Sequence, residues 1–295
     1  MRRFSSVCAV LLVFAVASLA AEKPIAVLEA RPSTGAASTA PVAFWQEVRK
    51  EPRALHIYCV RADLSAKEIE AAALIPPAPS EPQGAEAALE KPTVLAARPG
   101  VLAAVNSNVF TILPLPGAAK TGNPRGNPGA PADIRGWAKD ETREASPAQP
   151  GYASFWMDAA GRGHIGACSA PGEAPMAVSG YKELVHEGQS LSTDAKPVHP
   201  RTAVGLDAEG KTLWLVVVDG RQAGYSEGMS LGELAALMKE LGCWNALNMD
   251  GGGSAIMLVA TQGEKPEIVS RPSDSLARPI PAMLGIRLRG APRKQ

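Results

Sequence analysis

Apolar positions in this chain come in short runs broken by turn formers, a spacing that favours strands over long helices. Ala54-Leu55-His56-Ile57-Tyr58-Cys59-Val60-Arg61 reads as a strand, and Val101-Leu102-Ala103-Ala104-Val105 as a buried one running into Asn106-Ser107-Asn108-Val109-Phe110. Residues 154–165 read as a hairpin and 177–185 as a further extended piece. Residues 202–206 and 212–218 flank Asp207-Ala208-Glu209-Gly210-Lys211, a turn-forming stretch, and predict another hairpin. With Leu206 set opposite Thr212, antiparallel counting puts Arg201 opposite Val217. Two helices are expected from capping boxes, in which a Ser hydroxyl and a Glu carboxylate satisfy exposed backbone donors. One starts at Ser65-Ala66-Lys67-Glu68 and runs through Leu74. The other starts at Ser230-Leu231-Gly232-Glu233, carries Leu231, Leu234, Met238 and Leu241 at helical spacing, and stops at Gly242. A strand over 243–249 follows it. Strand, helix and strand then form a right-handed βαβ unit with parallel strands, so that Asp219 and Asp250 leave the sheet by one edge. The expected fold class is α+β: mixed β-sheets with packed helices, including that βαβ unit, in a loop-rich single catalytic domain.

The ends of the chain read differently. Arg2 and Arg3 precede an almost unbroken apolar run from Val7 to Leu19 that closes in Ser18-Leu19-Ala20-Ala21, the pattern of a secretory signal over 1–20 with cleavage after Ala20. That run is shorter than a membrane span needs, and no second run follows, so an exported protein without a membrane span is expected. Residues 21–52 read as a leader or an irregular N-terminal segment, and 53–291 as the domain. Residues 76–92 hold five prolines, an exposed loop, and 113–151 is a Pro- and Gly-rich excursion of a length that usually shapes a site. The 295 residues are 46% hydrophobic and 20% charged with a formal net charge of +1; losing Arg2 and Arg3 takes +1 to −1. Neither value suits a partner held by phosphate contacts along a nucleic acid, so none is expected. Cleavage also removes Cys8. Cys59, Cys168 and Cys243 remain, without zinc-like spacing; buried free thiols are the expectation, with one disulfide among them left open.

The chemistry concentrates in residues 199–254. Arg201, Asp219, Arg221, Asp250 and the run Gly251-Gly252-Gly253-Ser254 all border the expected edge. Two guanidinium groups hold a phosphate or carboxylate bidentately, and consecutive glycines let backbone N–H groups approach an anion. Two carboxylates beside such a site suit acid, base or nucleophilic work on a glycosidic bond, or else a hard cation held by Asp219 and Asp250. His56 and His164 lie in extended segments as packing or surface residues, whereas His186 and His199 flank the block.

His199-Pro200-Arg201-Thr202-Ala203-Val204-Gly205, Val218-Asp219-Gly220-Arg221, Gly228-Met229-Ser230-Leu231 and Asn248-Met249-Asp250-Gly251-Gly252-Gly253-Ser254 together resemble the phosphodiester glycosidase family. Val60-Arg61-Ala62-Asp63-Leu64 is similar to its early strand motif, and Arg271-Pro272-Ser273-Asp274 with Arg278-Pro279 to its closing one. The resemblance implies hydrolysis of a sugar 1-phosphodiester at the glycosidic bond by an exported bacterial member, on an envelope or capsular polymer. It places Asp250, Asp219 and Arg201 in catalysis and Arg221 and residues 251–254 on the substrate. Asn106 matches an asparagine of an Asn-Gly-x-Phe-Phe-like motif and is expected to touch substrate, with Asn108 as a substitute because this chain reads Asn-Ser-Asn-Val-Phe. Two alternatives stand beside this reading: metal-dependent cleavage of the P–O bond with a divalent cation as cofactor, and a non-catalytic envelope glycan-binding module.

Overall fold

A computed structural model describes residues 25–28, 31, 40–115, 126–167, 173–261, 265–274 and 276–292. Among the described residues are 21 strands and two α-helices, so the protein is mostly β and the α+β expectation is corrected. One expected helix is absent. Ile69–Leu74 is a strand, paired residue for residue with Met283–Leu288, and the Ser65 hydroxyl donates to the Asp63 carboxylate at 2.5 Å instead of capping a helix. A six-residue segment gains little from helix formation alone, because nucleation is costly. A ladder along its whole length outweighs the local signal.

The largest sheet has eight strands in the order Ile25–Val27, Val42–Arg49, Leu55–Asp63, Thr212–Val218, Arg201–Leu206, Asn245–Asn248, Lys182–His186, Gln189–Ser190. The expected βαβ unit does not form. Arg201–Leu206 lies between Thr212–Val218 and Asn245–Asn248 and pairs antiparallel with both, so the two strands flanking the helix are not neighbours. Two strands antiparallel to one neighbour still point the same way. Asp219 and Asp250 therefore leave by one edge, for a reason other than the expected one. The hairpin register is also one residue from expectation: Arg201 faces Val218 and Leu206 faces Leu213. Asp207 joins the ladder through its amide to the Thr212 carbonyl, and its carboxylate accepts from the Lys211 and Thr212 amides, so the turn is one residue tighter.

Helix Leu231–Glu240 has both bonds of its capping box and buries Leu234, Ala235, Leu237 and Met238 on one face of this sheet, against Trp45, Ile57 and Val216. Gly242, at φ 93°, turns the chain out of it. Strand Val42–Arg49 pairs with Leu55–Asp63 over its full length, so the segment read as a leader carries an integral strand. On the opposite face Tyr58, Val60, Val204, Leu213 and Leu215 pack with Val105, Leu284 and Ile286 of a five-stranded sheet built around Val101–Asn106 and Met283–Leu288. A second five-stranded sheet contains the expected hairpin, Ala153–Met157 with Gly163–Ala167, and a three-stranded one includes Pro131–Ile134. The excursion over 113–151 is thus partly sheet. Residues 1–20, their cleavage point and Cys168 lie outside the described residues, whereas Cys59 and Cys243 are buried free thiols. No helix among the described residues is long and apolar enough to cross a membrane.

Candidate active site

The eight-stranded sheet presents one rim on which four residues follow its strand order. Asp219 follows Thr212–Val218, Arg201 begins the next strand, Asp250 follows Asn245–Asn248 by one residue, and Tyr181 precedes Lys182–His186. Neighbouring strands are about 4.8 Å apart, so this order is also a spatial sequence. The end of Val101–Asn106, from the second sheet, closes the rim from below: the Asp250 amide donates to the Ser107 carbonyl at 2.9 Å.

Arg201 donates through Nε to the Met229 carbonyl at 2.9 Å and through Nη2 to the Pro197 carbonyl at 3.1 Å, which fixes its guanidinium without neutralising it. Arg221 adopts a left-handed backbone, φ 59°, an unusual conformation for a residue with a Cβ. Its guanidinium lies over Gly252, where an added Cβ would come within 3.1 Å of both terminal nitrogens, and Nη2 is 3.5 Å from His199 Nδ1. Neither arginine forms an ion pair among the described residues. Burial, then the Arg221 charge, lowers the Arg201 pKa; burial, then Arg221 and Arg201, lowers that of His199. Two adjacent cations beside an imidazole held neutral make a site for an anion.

The glycine run is packed tightly against its neighbours. Gly251 donates to its neighbour's carboxylate, the Asp250 Oδ1, at 3.0 Å; Gly252 donates to the Pro200 carbonyl at 2.9 Å and Ser254 to the Gly251 carbonyl at 3.2 Å. These amides are engaged, and among residues 251–254 only the Gly253 N–H has no hydrogen bond among the described residues. Glycine is required here for close approach. A Cβ on Gly251 would sit 2.8 Å from the Pro200 carbonyl oxygen, and one on Gly253 2.5 Å from both Arg278 Nη2 and Asp274 Oδ2.

The two aspartates part company. Asp250 is partly exposed at the rim, and burial raises its carboxyl pKa to about 6 against the opposing Ser254 hydroxyl, Gly251 amide and Arg278 charge. Asp219 is 2% exposed; both its carboxylate oxygens accept the Arg271 amide, at 3.0 and 2.9 Å, and Oδ2 also accepts the Tyr225 hydroxyl at 3.3 Å. Burial raises it too to about 6, opposed by those donors and by Tyr58. Asp219 therefore anchors the 271 loop. A cation shared with Asp250 would have to displace these partners, and among the described residues no group of three or more His, Cys, Asp or Glu is arranged to hold a metal ion.

Asn106 is likewise occupied. Its Nδ2 donates to the Asp250 carbonyl at 2.6 Å, and its Oδ1 accepts the Thr202 hydroxyl at 2.6 Å and the Ile256 amide at 3.1 Å. The residue bolts the Asp250 turn to both sheets. Asn108 donates to the Arg135 and Trp137 carbonyls, at 3.1 Å each, while its Oδ1 has no hydrogen bond. Ser107 Oγ and Asn248 Oδ1 are buried and unpartnered in the same way, whereas the Ser254 hydroxyl faces the Asp250 carboxylate. Buried polar atoms are ordinarily paired, so three such atoms on residues beside one turn leave hydrogen-bonding capacity open there.

Several residues of this site were not singled out individually by the sequence pattern. Asp274 and Arg278, paired at 3.0 Å, pack on Gly253, and Arg271 lies over the Tyr225 ring at 4.7 Å, which in turn stacks on His56 at 3.9 Å. The closing motif pointed to this loop. Tyr181 and Tyr152 had no signal, because each sits just before a strand, outside any motif. His164 pairs with Asp158, and His186 pairs with Glu183. Two other clefts, of about 360 and about 350 Å³, meet at Arg287 and share no residue with the rim.

Residues 134–287 match the family model described as phosphodiester glycosidase, a span that includes Arg201, Asp219, Arg221 and residues 250–254. The chain is 34% identical over 87 residues, 30% of its length, to the uncharacterized SPbeta prophage-derived protein YomE of Bacillus subtilis, of which it spans 12%. Among solved structures, the catalytic domain of zebrafish N-acetylglucosamine-1-phosphodiester alpha-N-acetylglucosaminidase, auto-inhibited by its pro-peptide, is similar with a TM-score of 0.61 at 21% identity, over 86% of each chain. A putative exported protein of Burkholderia pseudomallei has a TM-score of 0.54 at 19% identity, over 79% of this chain and 74% of that one. A hypothetical protein from Synechocystis has 0.54 at 15%, over 84% and 64%.

Proposed function

The chain belongs to the phosphodiester glycosidase family, and from that premise we propose that it hydrolyses a sugar 1-phosphodiester at the glycosidic bond, releasing free sugar and a phosphomonoester. The observation that carries this reading is the juxtaposition on one rim of the Asp250 carboxyl, tuned to about pH 6, with Arg201 on the next strand and Arg221 over Gly252. Cleavage of the C1–O bond sends its electron pair to a phosphate oxygen. Two guanidinium groups without carboxylate partners stabilise the charge that develops there, more strongly in the transition state than in the substrate. Asp250 supplies the reacting carboxylate, either attacking C1 or taking the proton of an attacking water. A pKa of about 6 keeps it mostly ionised at neutral pH and basic enough for either task. Asp219, held by a backbone amide and a tyrosine hydroxyl, positions the Arg271 loop and does not react. Asp274 and Arg278 buttress the glycine turn.

The zebrafish relative acts on an N-acetylglucosamine 1-phosphodiester, which makes that compound the first substrate to try. The N-terminal basic and apolar pattern, together with the likeness to the Burkholderia protein described as a putative exported one, supports export, and a phosphodiester-linked envelope or capsular glycan is the substrate proposed there. Purified protein incubated with N-acetylglucosamine 1-(methyl phosphate) in ¹⁸O-labelled water should yield free sugar carrying the label at C1. Label in the phosphate, whether of sugar 1-phosphate or of methyl phosphate, would instead establish P–O cleavage and overturn the reading, as would no turnover of any aldose 1-phosphodiester. The anomer of the first-formed sugar separates attack by Asp250 from attack by water.

A further inference from the structure

The cationic side of the rim has a counterpart across Asp250. In the eight-stranded sheet, Asn245–Asn248 has Arg201–Leu206 on one flank and Lys182–His186 on the other. Arg201 starts the first of these strands and Tyr181 immediately precedes the second, so the two residues stand on opposite sides of the Asp250 turn, each about one strand spacing away. The corner at Gly180 and Tyr181 is pinned to that turn. The Tyr181 amide donates to the Asn248 carbonyl at 2.8 Å, and Gly180 approaches the same carbonyl so closely that a Cβ would lie 2.2 Å from its oxygen.

Tyr181 is 45% exposed, and its ring centroid lies 6.0 Å from that of Tyr152, tilted by 31°. Burial raises its phenol pKa, and the Asp250 charge adds to the rise, as a carboxylate near the hydroxyl must. Tyr152 packs beside Gly136, whose two chain neighbours, Arg135 and Trp137, hold the Asn108 amide through their carbonyls. Asn248 and Ser107, whose carbonyls take the Tyr181 and Asp250 amides, and Asn108, held beside Gly136, each carry a buried side-chain oxygen without a partner. An exposed tyrosine ring backed by a half-buried one, beside residues with buried, unpaired polar atoms, suits a pyranose, which offers an apolar C–H face to stack on a ring and equatorial hydroxyls for polar partners. A phosphate has no use for such a surface.

We propose that Tyr181, with Tyr152 beside it, is the platform of the glycosyl subsite, so that the sugar ring stacks there while its phosphate turns to Arg201 and Arg221 and C1 lies at Asp250. This assignment rests on the hydrolase reading above and gives it a direction: sugar over the Lys182–His186 flank, phosphate over the Arg201–Leu206 flank. It also makes Tyr181 a specificity-determining residue, since whatever substituent the sugar carries on its stacked face must clear the ring.

Separate probes test the two halves. Calorimetric or NMR titration of free N-acetylglucosamine and other free aldoses, and of methyl phosphate, against wild type, Tyr181→Ala, Tyr181→Phe and Arg201→Ala reads each side by itself. Tyr181→Ala should weaken the bound aldose about tenfold and leave methyl phosphate unchanged. Tyr181→Phe should recover most of the loss, and Arg201→Ala should show the reverse selectivity. A thermal melt of Tyr181→Ala matching wild type establishes that the exposed side chain was removed without damage to the fold. Aldose affinity unchanged in Tyr181→Ala, or sugar and phosphate weakened alike, would overturn the platform, as would the absence of any aldose binding to wild type. Turnover of N-acetylglucosamine 1-(methyl phosphate) distinguishes the two readings. Tyr181-dependent aldose binding without turnover of any aldose 1-phosphodiester leaves the platform and refutes the hydrolase. Normal turnover with an unchanged KM in Tyr181→Ala does the opposite.

Discussion

Asn106→Ala is the perturbation that best separates what the motif implies from what the structure shows. The side chain is 1% exposed and makes three hydrogen bonds, to the Asp250 carbonyl, the Thr202 hydroxyl and the Ile256 amide. Truncation leaves those three buried groups unpaired at about 1–3 kcal/mol each. Partial relaxation brings the expected loss to roughly 3–5 kcal/mol, a large share of the ~5–15 kcal/mol that stabilises a typical domain. Urea unfolding followed by fluorescence should show the midpoint falling accordingly with little change in slope, and activity per folded molecule should fall as well because the Asp250 turn is no longer bolted. Asn106→Asp sharpens the contrast. It keeps an acceptor for Thr202 and Ile256 but sets a carboxylate oxygen against the Asp250 carbonyl, so its destabilisation should be greatest at neutral pH and shrink in acid. An Asn106→Ala protein with an unchanged midpoint and a lost turnover would refute this reasoning, because it would make Asn106 a substrate contact after all.

Arg201→Ala and Arg221→Ala should each lower kcat/KM by about 10–100-fold, the worth of one charge-assisted bond, without moving the thermal midpoint by more than a degree or two; an Arg201→Lys protein that matches wild type would argue against a bidentate phosphate contact. The kcat/KM profile should rise with an apparent pKa near 6 as Asp250 ionises, and Asp250→Asn should abolish that limb and cut turnover by about 10²–10⁴. A rate independent of pH from 4 to 8 in wild type would contradict a reacting carboxylate there. Asp219 has a folded pKa of about 6 against an ordinary 3.8, so the folded state holds its proton more tightly and stability falls as pH rises from about 4 to about 6, by on the order of 2–3 kcal/mol. Denaturation midpoints measured across that window should show a slope that Asp219→Asn reduces. Gly253→Ala would drive a Cβ into the Asp274–Arg278 pair, 2.5 Å from an atom of each, and should impair activity far more than Gly166→Ala, where the nearest atom, Glu183 Oε1, lies 3.9 Å from the added Cβ; equal effects would show that close packing at Gly253 is unimportant.

Much of the rim was legible because its residue types are unusual together. Arg201, Asp219, Arg221 and Asp250 sit at the ends of segments whose apolar pattern marks them as strands, and the Ser230–Glu233 capping box fixes a helix start with both bonds formed. Local patterns of this kind report what a segment does on its own. They failed where a distant partner had the larger claim: Ser65-Ala66-Lys67-Glu68 satisfies the helix rule, yet Ile69–Leu74 is claimed along its whole length by Met283–Leu288, more than two hundred residues away. The one-residue error in the hairpin register has the same origin on a smaller scale, since Asp207 pairs through side-chain and backbone bonds that spacing alone does not weigh.

Residue types determined which chemistry was available, namely an anion site with carboxylates nearby, and the order of turn signals determined that Asp219 and Asp250 would lie at strand ends. Only tertiary structure decided how these residues divide the work. The insertion of Arg201–Leu206 between its neighbours sets Arg201 beside Asp250. The Arg271 amide takes up the Asp219 carboxylate, close packing uses the glycines, and three long-range bonds commit Asn106 to the scaffold. A hydrogen bond satisfied by a partner fifty or a hundred and fifty residues away leaves no trace in local periodicity. Burial, which raises both carboxyls to about pH 6, is likewise a property of the packed molecule and of no segment by itself.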